Sequence, residues 1–481
     1  GKQEDVEEAM THARTQKTLR SYEVAVKSLL SWCAHHKNEE IVKDVLKADN
    51  GGKIEFDYPK LAKSLESIKN VYFRYTLQYQ IKMNLSKKSG LGHIKRVRSG
   101  LSKKFLDNRV TMSDLALKMT AQWMASRKND DMAAKTREIN PVKYSNAQRS
   151  LPWPAYKAIA HLLAKDEDPF LWCLFVLQWN MIARVSNAAG VKLSLMSWDN
   201  DRLKIKHPKT KMDGEGKKAF PMAIMANRYC WYICPITALA VYMSCTNFKK
   251  DTDQLFSGGT AGKTASTRYC ERMRSFLNRQ DIQSELNEYA DLLKGSHGVR
   301  KGATNHGATA GLVANVLIAV LLRGQWGIGD TLKRYFKEHQ AGDALVGRVL
   351  AGLDLYSPKF AALPPHFKKV SRQIRLATQA QFKKTHPLFK EDAPAGSEEV
   401  LRMCLASLVH HYEKLDTELP AGHPLRATPL FESPAIMNLK TELGPELGER
   451  GSGREYGTGA MTCTGIPPHV SYMQQALGYH R

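Results

Sequence analysis

The chain is short of acid. Against 71 lysines and arginines stand 47 aspartates and glutamates, a formal charge of +24 over 481 residues with a pI near 9.6. Such an imbalance points to a polyanionic partner, nucleic acid before others. Binding should weaken steeply with salt, because each neutralised phosphate releases counterions. The eight cysteines are scattered; only Cys230 and Cys234 lie close together, with no second pair or histidines at ligand spacing. That argues against a structural zinc or other metal site and for reduced thiols in an intracellular protein. No apolar run reaches the ~20 residues of a membrane span; the longest, Ala308 to Leu322, is shorter and holds glycine and asparagine. The acidic, polar opening GKQEDVEEAM does not resemble a signal peptide, and Gly1 in place of methionine suggests a processed or trimmed chain. No internal repeat, carboxylate metal cluster or phosphate-binding glycine loop is visible.

What is present is globular: 43% apolar residues and eight tryptophans, in a length sufficient for two to four domains. Leu19, Tyr22, Val26, Leu29, Leu30 and Cys33 recur at helical spacing behind an N-cap at Thr15 or Thr18. A second stripe is Leu61, Leu65, Ile68, Tyr72, Tyr75 and Tyr79, whose tyrosines read as core packing. Between them, around Asn50-Gly51-Gly52, a loop is expected. Next comes a basic run without acid, carrying Lys82, Lys87, Lys88, Lys95, Arg96, Arg98, Lys103 and Lys104 and punctuated by glycine and serine. Inside a folded helical region, a run of this length is expected to face phosphates. A helix with Leu115, Met119 and Trp123 follows. From about 127 to 154 polar residues and Pro141, Pro152 and Pro154 mark a linker.

The second half opens with a helix near 155–165. The next helix, from about Pro169, is apolar nearly all round and therefore central. At its end stands Arg184, the first charge after the apolar run, which requires an anionic partner: a carboxylate or a bound phosphate. The stretch RLKIKHPKTKMDGEGKKAFPMAIM reads as a β-hairpin turning at Asp213-Gly214, with Lys209 and Lys211 near its tip. Helices are expected from Pro235, from about 265 to 277 and from about 398 to 415, and beyond Met437 a disordered tail.

The stretch from Ser296 to Phe336 concentrates reactive residues: His297 and Arg300 three apart, Trp326, and Tyr335 nine residues later. Each alone has an ordinary structural explanation, and Tyr356 and His306 are poorer candidates. Their order is the informative feature: an arginine after a buried helix, a hairpin lysine, HxxR, then tryptophan and tyrosine. In that order and spacing the chain resembles the tyrosine recombinase (phage integrase-like) family, over roughly residues 155–370 and more loosely in its helical N-terminal half. The strings HGVRKGATN, RGQWGIGDTLKRYF, AGDALVGRVLAGL and LPPHF are similar to Crypton-type recombinases of eukaryotic mobile elements.

The resemblance implies a mainly α fold with a small β-sheet or hairpin: a helical core-binding (SAM-like) domain at 1–126, a linker at 127–154, a catalytic domain at 155–370 and a C-terminal helix and tail at 371–481. It implies no cofactor, double-stranded DNA as partner, assembly up to a tetramer on DNA, no membrane, and a nuclear location if the source is eukaryotic. Carried over by position, Arg184 and Arg300 are the phosphate-clamping arginines and His297 assists proton transfer. Lys209, with Lys211 competing as a DNA contact or as the acid, protonates the leaving oxygen. Trp326 occupies the late His/Trp position and Tyr335 is the nucleophile; the acidic position after the first arginine is Asn187 here. A type IB topoisomerase, or a domesticated protein that binds DNA without catalysis, are the alternatives.

Overall fold

In a computed structural model describing residues 16–36, 40–48, 54–86, 90–137, 150–206, 221–249, 252–257, 264–287, 289, 297–309, 314–326, 340–355, 357–391, 393 and 395–446, helices carry most of the chain. Among the described residues, strands occur only in two small antiparallel sheets. The chain divides into two units, residues 1–144 and 145–481, each with its own apolar core.

In the first unit α1 (Gln16–His35) buries Ala25, Val26, Leu29 and Cys33 along one stripe. It starts earlier than a Thr18 cap would allow, and Thr15 lies outside the described residues. The segments on either side of the expected loop are strands: β1 (Leu46–Ala48) pairs antiparallel with β2 (Ile54–Phe56), Leu46 opposite Phe56, while Asn50-Gly51-Gly52 lies outside the described residues. Strands of three residues are too short to show alternation in sequence. The second stripe forms helical turns at Tyr58–Lys63 and Leu65–Ile68, a π-helical turn at Lys69–Phe73, and α2 (Arg74–Leu85). Tyr72 and Tyr75 are buried, as core packing requires.

Most of the basic run is α3 (Leu91–Asp107), which buries Ile94, Val97, Leu101 and Phe105. Gly100 is a packing residue within this helix, not punctuation: a Cβ there would lie 2.6 Å from Val26 Cγ2 of α1. Helix α4 (Asp114–Arg137) carries on through the first part of the expected linker. Its later residues are polar but good helix formers, and Arg127 pairs with Asp130 at 2.7 Å. The linker's far end is helical too. Pro154 sits in the first turn of α5 (Trp153–Lys165), where its missing N–H is no loss.

The second unit is built around α6 (Pro169–Asn180), buried from Phe170 to Asn180. Burying a large apolar side chain stabilises by about 1.5–3 kcal/mol, so a helix apolar on every side must be enclosed. Its enclosure comes from α5, α8 (Pro235–Cys245), α9 (Ala265–Leu277) and α10 (His297–Ala308). A one-turn helix, α7 (Val185–Ala188), follows α6. The two strands of the expected hairpin are β4 (Arg202–Ile205) and β5 (Met222–Ile224), antiparallel in register Leu203 opposite Ile224; the turn expected at Asp213-Gly214 lies outside the described residues. A third strand, β3 (Met196–Asp199), adds to β4 and completes the order β3-β4-β5. The chain then builds α11 (Ala314–Arg323) and α12 (Gln340–Leu350).

The expected boundary at 370 is not a packing boundary. Helices α13 (Arg372–Phe382) and α14 (Ser397–Glu418) share one core with α6 through Ile374, Val400, Leu401, Cys404, Leu405 and Leu408. Thr237 of α8 and Ser407 of α14 hydrogen-bond at 2.9 Å inside it. Folded chain also extends past Met437: Leu443 bridges to Phe367. Single residues shape the turns that follow α13 and α14. His386 and His423 each precede Pro-Leu and accept, through Nδ1, the N–H of Leu388 and Leu425 at 3.2 Å. Turns of that length leave no periodic signal. Residues 447–481 of the expected tail lie outside the described residues.

Candidate active site

Arg184 is presented by the end of α6. Ile182 N–H donates to Trp179 O at 3.0 Å and Ala183 N–H to Gln178 O at 3.1 Å, with Ile182 at φ +48°. This is a Schellman closure, whose left-handed position glycine ordinarily fills; a β-branched residue there is strained. The chain leaves it into Arg184, whose carbonyl accepts from Asn187 and Ala188 to start α7.

Trp326 is presented in the same way by the end of α11. Gln325 N–H donates to Leu322 O at 2.9 Å and Trp326 N–H to Leu321 O at 3.0 Å, with Gln325 at φ +56°. The tryptophan folds back over Gly324 so closely that a Cβ there would lie 2.0 Å from Trp326 Cζ3. Only glycine fits. The two closures are joined, since Asn187 Nδ2 donates to Gln325 Oε1 at 3.1 Å.

Helix α10 brings the third element. Its start is tied to the beginning of the unit by Leu151 N–H donating to Gly298 O at 3.0 Å. His297 is exposed at the first turn; Arg300, one turn on, is buried. The Arg300 guanidinium donates to Gly324 O and lies 4.5 Å from the centre of the Trp326 ring, a cation–π contact. Burial, and then the positive charge of Arg184, pull the Arg300 pKa down to about 10. It remains charged at neutral pH.

The other buried arginines make a useful control. Arg127 pairs with Asp130, Arg202 with Asp199 and Asp201, Arg323 with Asp343 at 2.8 Å and Arg348 with Asp201 at 2.5 Å. Among the described residues Arg300 pairs with no carboxylate; its charged neighbour is Arg184, which has no carboxylate partner there either. Two neighbouring guanidinium groups without a carboxylate among the described residues make a candidate site for an anion, and their forked donors suit phosphate or carboxylate oxygens.

Several residues the sequence did not single out hold this arrangement. Arg323, its side chain wholly enclosed, donates to Asn180 O at the end of α6, to Ala223 O of β5, and to Asp343 of α12. One side chain thereby links the segments that lead to Arg184, to the hairpin and to Trp326. Within AGDALVGRVLAGL, Asp343 and Arg348 make buried ion pairs, and Arg348 also donates to Phe360 O and Ala362 O. That string and the approach to LPPHF are structural. His306 is on the same helix as His297. It stacks on Trp153 at 4.2 Å and its pKa is lowered by burial to about 4, which marks it as a packing residue.

Lys209, Lys211, Tyr335 and Tyr356 lie outside the described residues, as do Lys87 and Lys88 of the basic run. In the first unit Lys82, Lys95 and Arg96 are exposed, and Lys104 is half-buried. Arg98 is half-buried beside Tyr72. Lys103 is paired with Asp107, just past the end of the acid-free run, so its charge is not wholly unanswered. Among the described residues no cluster of three or more histidine, cysteine or acidic side chains is placed to hold a metal, and no helix is long and apolar enough to cross a membrane. Neither a protein-family model nor a curated protein matches the chain.

Proposed function

We propose that the chain breaks and rejoins DNA strands through a covalent phosphotyrosine. More narrowly, we propose a tyrosine recombinase of the Crypton type, moving mobile DNA. The observation that supports this reading is that Arg300 and the half-buried Arg184 beside it have no carboxylate among the described residues, whereas each other buried arginine described there has one.

In this reading the scissile phosphate occupies the space between the two arginines. Tyr335 Oη attacks phosphorus, its proton passing to His297. Charge building on the non-bridging oxygens is met by both guanidinium groups, preorganised donors of the kind that usually supply the largest catalytic term. The P–O bond to the 5′ oxygen breaks, and that oxygen takes a proton from Lys209, with Lys211 as competitor. The products are a 3′-phosphotyrosine and a free 5′-hydroxyl. The covalent bond retains the energy needed for rejoining, so no nucleotide is consumed. The basic helix α3 supplies backbone contacts to duplex DNA, and copies of the chain assemble on it.

Tyr335→Phe tests the reading. On a nicked suicide duplex the unaltered protein is expected to form a denaturant-resistant adduct and the variant none, with duplex affinity held within a few-fold. An adduct that survives the substitution removes Tyr335 from the mechanism. No adduct from either protein, with binding intact, leaves a DNA-binding protein without catalysis.

A further inference from the structure

We infer that Asn187 and Gln325 form a carboxamide bridge that sets the separation of the two arginines for an anion, making both of them positioning residues of the site. The inference deepens the strand-transfer reading and rests on it only for the nature of the anion.

Three observations converge on the bridge. First, it joins two independent helix ends, the α6 closure that delivers Arg184 and the α11 closure that delivers Trp326, through a 3.1 Å hydrogen bond. Second, Gln325 holds this pose at φ +56°, a backbone conformation that asparagine or glycine would take with less strain. Third, the Nε2 of Gln325 is enclosed and has no hydrogen-bond partner among the described residues. A left-handed glutamine with half its amide unsatisfied is a poor choice for closing a helix. It becomes intelligible if the side chain is needed to reach Asn187. The lever is short at both ends. Asn187 lies in the one-turn helix that Arg184 caps. Gln325 lies between Gly324, whose carbonyl receives Arg300, and Trp326, whose ring lies against it. Loss of the bridge frees the Arg184 turn from the Arg300 cradle without touching either arginine.

A double-mutant cycle on the full chain provides the test, with inorganic phosphate as probe and Arg184→Met as the control that removes the site. Asn187→Ala and Gln325→Ala are each expected to weaken phosphate binding by about fivefold, the order of one neutral hydrogen bond. The double variant should be no weaker than either single. Independent effects, multiplying in the double variant, overturn the inference. Gln325→Asn and Gln325→Gly guard against a folding artefact, because both suit the left-handed position. They should keep or raise the melting temperature while losing phosphate affinity, whereas a purely structural Gln325 would show a lower melting temperature and unchanged affinity. Adduct formation on the nicked duplex is the second arm, where the single-turnover rate should fall about fivefold with duplex affinity unchanged. A coupled phosphate cycle in a protein that forms no adduct sustains the bridge and rejects the strand-transfer reading; an additive cycle in a protein that forms one does the reverse.

Discussion

Replacing Arg184 by methionine separates a ligand-binding arginine from a structural one, because the two roles predict opposite signs. A structural arginine in a half-buried setting loses stability when removed, since a partner is stranded; breaking a buried pair costs about 3–5 kcal/mol. Arg184 has no carboxylate partner among the described residues, and its charge contributes to holding the Arg300 pKa down to about 10. Removing that charge lets Arg300 return toward its ordinary value, and the unliganded protein should be as stable as before or more so. A gain of about 1 kcal/mol would raise the melting temperature by roughly 2 °C in a unit of this size.

The cost should appear on the anion. A charge-assisted hydrogen bond contributes about 1.5–3 kcal/mol, so phosphate affinity should fall by roughly ten- to a hundredfold. The assay is thermal unfolding with and without inorganic phosphate. With a dissociation constant about twentyfold below the ligand concentration, the unaltered protein gains about 1.8 kcal/mol; the variant should gain only about 0.1 to 0.6 kcal/mol. Arg300→Met supplies the contrast. It orphans the Gly324 carbonyl and uncovers the Trp326 face, so it should lose both phosphate and stability. If Arg184→Met lowers the melting temperature by several degrees and leaves the phosphate response intact, the anion-site argument is refuted.

Two further outcomes follow from the charges elsewhere. Neutralising Lys82, Lys95 and Arg96 together should flatten the slope of log affinity against log salt for duplex DNA by about two to three. Lys103→Gln alone should change it by less than one, because Asp107 already answers that charge; unchanged slopes in both would make the run a solvated face. His386, His411 and His423 are buried and neutral, burial lowering their pKa values to about 4, 3 and 4. Unfolded, they take up protons near pH 6.5, so their contribution is complete above pH 6.5 and is lost as pH falls toward 4. At pH 5 each costs about 2 kcal/mol, together about 6, a large part of a typical domain's stability. The second unit's melting temperature should fall sharply between pH 6.5 and 5, and a flat profile would show these histidines protonate without unfolding.

Elements with a local, repeating cause were legible in the sequence. The all-apolar α6, the stripe of α1 and the strands β4 and β5 each declare themselves within a dozen or so residues, through their period. What escaped depends on contacts between distant residues or on elements too short to repeat. The three-residue strands β1 and β2 escaped, and so did β3, whose pairing with β4 no local pattern requires. The linker prolines at 152 and 154 mislead because proline marks both a break and a helix's first turn. Of the candidate site, Arg184, Arg300 and Trp326 were legible through their order along the chain and not one by one. Asn187 stands where the resemblance implies an acid, but nothing local could name Gln325, 138 positions on, as its partner. Arg323 was invisible for the same reason: its value lies in three contacts made by three different elements.

The costs in the second unit are unevenly distributed. Where this fold buries an arginine for its own sake, at Arg202, Arg323 and Arg348, it supplies a carboxylate. Around Arg184 and Arg300 it does the opposite. Like charges adjoin, two helix ends close on left-handed non-glycine residues, Ile182 and Gln325, and an amide nitrogen is enclosed without a partner. Enclosed polar atoms without a partner occur elsewhere in the unit as well, Arg202 Nε and Arg348 Nε among them, so what sets this place apart is two adjoining positive charges with no carboxylate among the described residues. A ligand accounts for that most simply, and its charge must be negative.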